Sequence, residues 1–167
     1  MKDYNAVMER YFLTKDVYEK NQILKRLVIE LPLDGKDFFL QAYKKARFLD
    51  MKLTAVRGYA AYANEKEVNV LMARLLELLI KVPDKTPYAY QEYEIMRSAF
   101  LMQYLLKTYN YECFRAFHDQ LEKQYNAMPD CFKNAFSLDD EGNSYSIRNP
   151  DEVSKSWDDF WNRSYPI

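Results

Sequence analysis

Ala55-Val56-Arg57-Gly58-Tyr59-Ala60-Ala61 is followed 40 residues later by Ile95-Met96-Arg97-Ser98-Ala99-Phe100-Leu101. Both stretches set an arginine between an apolar and a small residue, and both lie within longer runs of helical spacing. Val56, Tyr59, Ala60 and Ala63 fall at i, i+3, i+4 and i+7, one face of a helix. Met96, Ala99, Phe100 and Gln103 take the same wheel positions, the last a polar mismatch. Between the copies, Val68, Leu71, Met72, Leu75, Leu76, Leu79 and Ile80 form an apolar face wide enough to be covered on both sides. An internal period of this length marks stacked helical pairs, which usually make binding surfaces rather than catalytic pockets.

The pattern continues outward in both directions. Pro32, Pro83, Pro87, Pro129, Pro150 and Pro166 stand where the helical spacing pauses. Between them the spacing predicts helices over 3–12, 16–31, 36–48, 51–63, 66–82, 87–109 and 111–126, a short turn of helix at 130–136 and a last helix at 150–164. Asp34-Gly35 breaks the chain before the third helix. Thr86-Pro87 supplies an N-cap with proline at the first helical position, and Asn149-Pro150-Asp151-Glu152 repeats the device with two carboxylates at the positive end of the helix dipole. Residues 136–147 alternate about Gly142-Asn143, which predicts a small hairpin or extended loop. The expected architecture is one all-α domain over 1–167: antiparallel helical pairs stacked through 136, then an acidic loop and a capping helix.

Composition agrees with this class. Three glycines against fifteen Tyr, ten Phe and seven Met starve tight turns and supply large side chains for helix packing. At 167 residues the chain can bury enough apolar surface to fold without metal or disulfide. Cys113 and Cys131 form neither a CxxC pair nor a zinc set, and buried thiols are expected. Met1-Lys2-Asp3-Tyr4-Asn5 lacks the apolar run of a signal peptide. The apolar run from Val68 to Val82 carries Asn69, Arg74, Glu77 and Lys81 and is shorter than the roughly 20 residues of a bilayer span. No membrane association and a cytoplasmic location are expected.

Catalytic and cofactor signatures are missing from the sequence: no Gly-rich phosphate loop, HExxH, GxSxG or His/Cys cluster at metal-ligand spacing. The single histidine, His118, and Cys113 sit five residues apart on one predicted helix, about 140° around the wheel, so they face apart. Asp139-Asp140-Glu141-Gly142 lacks the closing glutamate of an EF-hand, since residue 148 is Arg. A non-enzymatic protein without cofactor or metal is expected.

Charge is distributed unevenly. The net charge is −1 from 24 basic and 25 acidic residues, but residues 137–167 hold three basic and seven acidic side chains. Asp139, Asp140, Glu141, Asp158 and Asp159 are candidates for a negative patch that steers a basic partner. The alternative is a solvated charge run. Tyr88, Tyr90 and Tyr93 cluster at the head of the second copy, where tyrosines serve equally as interface anchors or as core. Trp157, Phe160 and Trp161 form the docking stripe of the last predicted helix. Lys36, Lys44, Lys45, Arg47, Lys52 and Arg57, with Tyr43, Tyr59 and Tyr62 nearby, form a basic and aromatic stretch over 36–57 suited to phosphate contact and stacking. An overall pI near 5.9 weighs against nucleic acid.

The segment Asp50-Met51-Lys52-Leu53-Thr54-Ala55-Val56-Arg57-Gly58-Tyr59-Ala60-Ala61 resembles the second helix of a HEAT repeat of the HEAT/armadillo superfamily. The likeness extends over about 36–109 and implies that Asp50 and Arg57 belong to a ladder between repeats. Tyr90 stands in place of Asp50 in the second copy. In size, class and missing catalytic chemistry the chain is similar to small all-helical bacterial immunity proteins. That analogy implies a partner protein such as a basic nuclease toxin, with nucleic-acid binding through 36–57 as the alternative.

Overall fold

A computed structural model describes residues 2–85, 98, 101–127, 136–138 and 144–146. The fold is all-α, as expected. The chain divides inside its fifth helix into two compact units, Met1–Leu71 and Met72–Ile167.

The first unit contains α1 (Tyr4–Leu13), α2 (Val17–Glu30), α3 (Gly35–Lys45), α4 (Leu49–Ala60) and the start of α5 (Glu65–Lys85). Each start has a local cause. The Asp3 carboxylate accepts the Ala6 N–H at 3.1 Å, and that of Asp16 accepts the Tyr18 N–H at 2.9 Å. At α5, Asn64 and Glu67 form a reciprocal capping box: the Asn64 side chain accepts the Glu67 N–H at 2.9 Å, and the Glu67 carboxylate accepts the Asn64 N–H at 3.2 Å. Helix α2 ends on Leu31 in the left-handed region (φ 47°), just before Pro32.

Helices α1 and α2 form an antiparallel hairpin, since Lys2 meets Glu30 at 2.6 Å at one end and Arg10 meets Glu19 at 2.8 Å toward the other. Helices α3 and α4 form a second hairpin, whose pairings step inward together. Tyr62 covers Gly35, Phe39 covers Gly58, and the Lys52 ammonium reaches the Tyr43 carbonyl at 2.6 Å. A Cβ at Gly58 would overlap the Phe39 ring. A row of edge-to-face rings, Phe12, Tyr11, Phe38 and Phe39, runs from α1 into α3 with centroids 5.0 to 5.3 Å apart. Leu24, Leu27, Leu53 and Val56 fill the remaining core.

In the second unit, α5 continues, residues 101–109 form α6, and α7 spans Glu112–Ala127. Phe114, Phe117 and Leu121, at i, i+3 and i+7, are fully buried, as are Leu75, Leu79, Met102 and Leu105. The two-residue turn between α6 and α7 uses Asn110 at φ 47°, a conformation asparagine tolerates better than most residues. Arg115 clamps this turn, reaching Asn110 Oδ1 at 2.6 Å.

The expected helices that fall on described residues hold, with differences of detail; α4, expected over 51–63, spans Leu49–Ala60. Helix α3 stops at Lys45 rather than 48 because Ala46 and Phe48 are extended and start a new turn. Helix α5 continues past Pro83 to Lys85, where proline was expected to end it. Proline has no N–H to give the Leu79 carbonyl; Gln124 Nε2 of α7 donates to that carbonyl at 2.8 Å instead. Cys113 is half-buried rather than buried. Of the hairpin or extended loop expected over 136–147, the hairpin strands are present, β1 (Phe136–Leu138) pairing antiparallel with β2 (Ser144–Ser146), with Ser137 opposite Tyr145. The predicted helices at 130–136 and 150–164, the first part of 87–109 and Cys131 lie outside the described residues.

Candidate functional site

Tyr88, Tyr90, Tyr93, Asp139, Asp140, Glu141, Asp158 and Asp159 all lie outside the described residues. The basic stretch 36–57 lies within them, and half of it is taken up by the fold. Lys36 Nζ is 2.7 Å from the Glu67 carboxylate, which holds the Lys36 pKa above its ordinary value. The Lys52 ammonium donates to the Tyr43 carbonyl and lies 4.8 Å from the Tyr43 ring, and its burial lowers its pKa. Arg57 has its Nε buried. Tyr43 and Tyr59 are core residues rather than an open stacking platform, and Tyr43 Oη donates to the Leu71 carbonyl at 2.9 Å. Only Lys44, Lys45 and Arg47 of the six are exposed.

Two of these three join a cluster that lies 30 residues apart in sequence. Both hairpins of the first unit turn in three residues, Thr14–Asp16 and Ala46–Phe48, and the two turns line one pocket of about 370 Å³. Lys15 and Lys20 come from the first turn and α2, Lys45 and Arg47 from the second. Among the described residues no acidic one lines the pocket. The lysines lean on aromatic rings: Lys20 Nζ is 5.4 Å from the Tyr11 centroid, and Lys45 Nζ is 4.8 Å from that of Phe12. Among the described residues none of the four cations is in an ion pair.

Of the acids near in sequence, Asp16 and Glu19 are engaged by internal donors and Asp50 is buried. Asp16 caps α2. Glu19 accepts Arg10 Nε at 2.8 Å and Nη2 at 3.1 Å, and also the Thr14 hydroxyl; these bonds hold its carboxyl below the usual range. Helix dipoles add little, because α1 and α3 end at the pocket while α2 and α4 begin there, so opposite partial charges offset. The positive character is therefore carried by side chains. The floor and rim are apolar: Met51 is buried, Phe12 and Phe48 are half-buried, and Leu13 and Val17 are 69% and 47% exposed. Such a site accepts an anion attached to an apolar body.

A wider concavity of about 690 Å³ lies at the opposite ends of α1 and α2, with Lys2, Asp3, Leu31 and Leu33 in its lining. Its charges are mixed, Lys2 paired with Glu30, Asp3 used in the α1 cap and the exposed Asp34 also in the lining. On α7, His118, Asp119 and Glu122 each bring one donor atom within 4.8 Å of the others, a grouping with a single histidine and no cysteine and so without a His/Cys spacing in the sequence. His118 Nδ1 stands 3.6 Å from Asp119 Oδ1. Both carboxylates face solvent, and no buried donor completes the set among the described residues.

No helix among the described residues is long and apolar enough to cross a membrane. Scanned against family models, curated proteins and solved structures, the chain matches none of them.

Proposed function

We propose that this chain is a non-enzymatic protein-binding module that acts by occluding its partner, in the manner of an immunity or antitoxin-type inhibitor working in the cytoplasm. One observation carries the binding reading: cations that make no ion pair among the described residues, together with exposed apolar side chains, surround an aromatic-floored pocket on a well-packed frame. Leu13 and Val17 stay 69% and 47% exposed in the isolated chain, and apolar area left at a pocket rim is area a partner can cover. The excess of acids over bases in residues 137–167 supports a basic toxin as partner, with Asp139, Asp140, Glu141, Asp158 and Asp159 as a second contact.

The binding reading is tested by placing the photoreactive residue benzoylphenylalanine at Leu13 or Val17 and irradiating cells that make the protein naturally. A discrete protein adduct from both positions, absent when the label replaces the exposed Lys66, is the expected result. Adducts to nucleic acid alone, or none, contradict it. For the inhibitor reading, the captured protein is toxic when made alone and harmless beside this chain. Reversing Asp139, Asp140, Asp158 and Asp159 to Lys then weakens the complex.

A second reading, nucleic-acid binding, is favoured by the same cations. It ranks lower because Lys36 and Lys52 are held by internal contacts and Tyr43 and Tyr59 are buried. Oligonucleotide binding that weakens steeply with salt would raise it.

A further inference from the structure

We propose, building on the protein-binding reading, that the pocket between the α1–α2 and α3–α4 turns seats an acidic peptide segment of the partner. One apolar or aromatic side chain lies against Phe12 and Met51, and flanking carboxylates are held by Lys15, Lys20, Lys45 and Arg47.

Charge selects the sign of the occupant. Four cationic side chains line the pocket with no acid beside them among the described residues, and the neighbouring Asp16 and Glu19 already accept internal donors. Lys20 and Lys45 are positioned by ring faces, contacts that consume none of their N–H donors, so the ammonium hydrogens remain for carboxylate oxygens. Arg47 adds a planar fork suited to bidentate carboxylate binding.

The apolar lining selects the body of the occupant. A bare anion gains nothing from buried Met51 or from the exposed methyl groups of Leu13 and Val17. A volume of about 370 Å³ is at the small end of ligand pockets, which run about 300–1,000 Å³, and suits one large side chain with its adjoining backbone. A single-stranded nucleic acid instead requires a groove that tracks its backbone past stacking rings. Here the cations gather around one hollow, and Tyr43, Tyr59 and Tyr62 in or near 36–57 are buried or half-buried.

The experiment uses the full chain labelled at its methionine methyl groups, with Met51 assigned from Met51→Leu. It is titrated with the blocked peptide Asp-Glu-Phe-Glu-Asp, with its Gly-centred and Lys/Arg-flanked counterparts, and with a short oligothymidylate. The acidic Phe-centred peptide shifts the Met51 methyl saturably and binds about tenfold or more tightly than either counterpart peptide, an advantage that shrinks with added salt. Lys45→Glu/Arg47→Glu on one turn and Lys15→Glu on the other each remove about tenfold of that affinity while leaving the thermal midpoint in place. Equal binding of the three peptides, no Met51 shift with the acidic one, or tighter oligothymidylate binding lost in the same variants overturns the proposal. A protein adduct from Leu13 in cells without peptide binding overturns the acidic chemistry and leaves the binding-module reading standing. Peptide binding without any protein adduct supports the chemistry and counts against that reading.

Discussion

Gln124 of α7 donates its side-chain amide to the main-chain carbonyl of Leu79 in α5 at 2.8 Å, supplying the hydrogen bond that Pro83 cannot. Gln120 Nε2 donates to Gln124 Oε1 at 3.1 Å, which turns the donor end of that amide toward Leu79. A half-buried side chain thus repairs a helix from outside it. Gln124→Ala is expected to cost about 1–2 kcal/mol, the scale of leaving a buried carbonyl without its donor. In a Pro83→Ala background the helix regains its own N–H and the same substitution costs less than half as much. Urea denaturation of the four proteins checks this as a double-mutant cycle.

Gly58 stands in the last turn of α4, where glycine is at most about 1 kcal/mol worse than alanine by helix propensity. Replacing it with alanine is nonetheless expected to destabilise, because the new methyl group would overlap the Phe39 ring and Phe39 is fully buried. Overpacking costs about 1–3 kcal/mol and outweighs the propensity gain. The thermal midpoint of Gly58→Ala falls, and Gly58→Ala/Phe39→Leu recovers part of the loss.

Tyr11 is buried, and burial raises its phenol pKa to about 12. The unfolded chain releases this proton first, near the ordinary value of 10.0. The contribution of Tyr11 is therefore complete below pH 10 and is lost as pH rises toward 12. Tyr11→Phe should flatten the alkaline limb of the stability profile while changing stability at pH 7 by less than about 1 kcal/mol. Denaturant titrations at pH 7 and at several values above 10 distinguish this from an unaltered limb.

Glu67 accepts Lys36 Nζ at 2.7 Å, the Asn64 N–H and, at 3.4 Å, the Tyr59 hydroxyl, and so joins α3, α4 and α5. The Lys36 bond first, then the Asn64 N–H, holds its pKa below the ordinary 4.5. The folded chain thus binds that proton less readily than the unfolded one. Its stabilisation is present above pH 4.5 and disappears as pH falls through the folded value. Glu67→Gln keeps the capping geometry and removes the charge, so its stability should vary less than that of the parent between neutral pH and the acid transition.

Helix positions were readable because each helix carries an apolar stripe at 3.6-residue spacing, as in Phe114, Phe117 and Leu121. The small residue shared by the two copies was readable too: Gly58 and Ser98 are both buried, Gly58 beneath Phe39. Pro83 misled because the donor that replaces its N–H lies 41 residues away in Gln124. Asn64-x-x-Glu67 was a legible start signal for α5 that periodicity alone placed one residue late. The basic stretch 36–57 read as a surface because nothing local shows that Glu67 and the Tyr43 carbonyl occupy two of its lysines. The pocket was hidden for the converse reason, since Lys15 and Lys45 meet only once two hairpins with equal three-residue turns stand side by side.

The most direct test of a partner-binding face at these turns is the yield of the protein adduct from benzoylphenylalanine at Val17, compared between the parent and Lys45→Glu/Arg47→Glu. Both altered residues are exposed and make no ion pair among the described residues, so the thermal midpoint should be unchanged. The yield is predicted to fall about fivefold or more, whereas Lys36→Gln, which disrupts an internal contact, leaves it near the parent level. An adduct that persists undiminished in the charge-reversed protein would contradict the assignment of this pocket as the binding face.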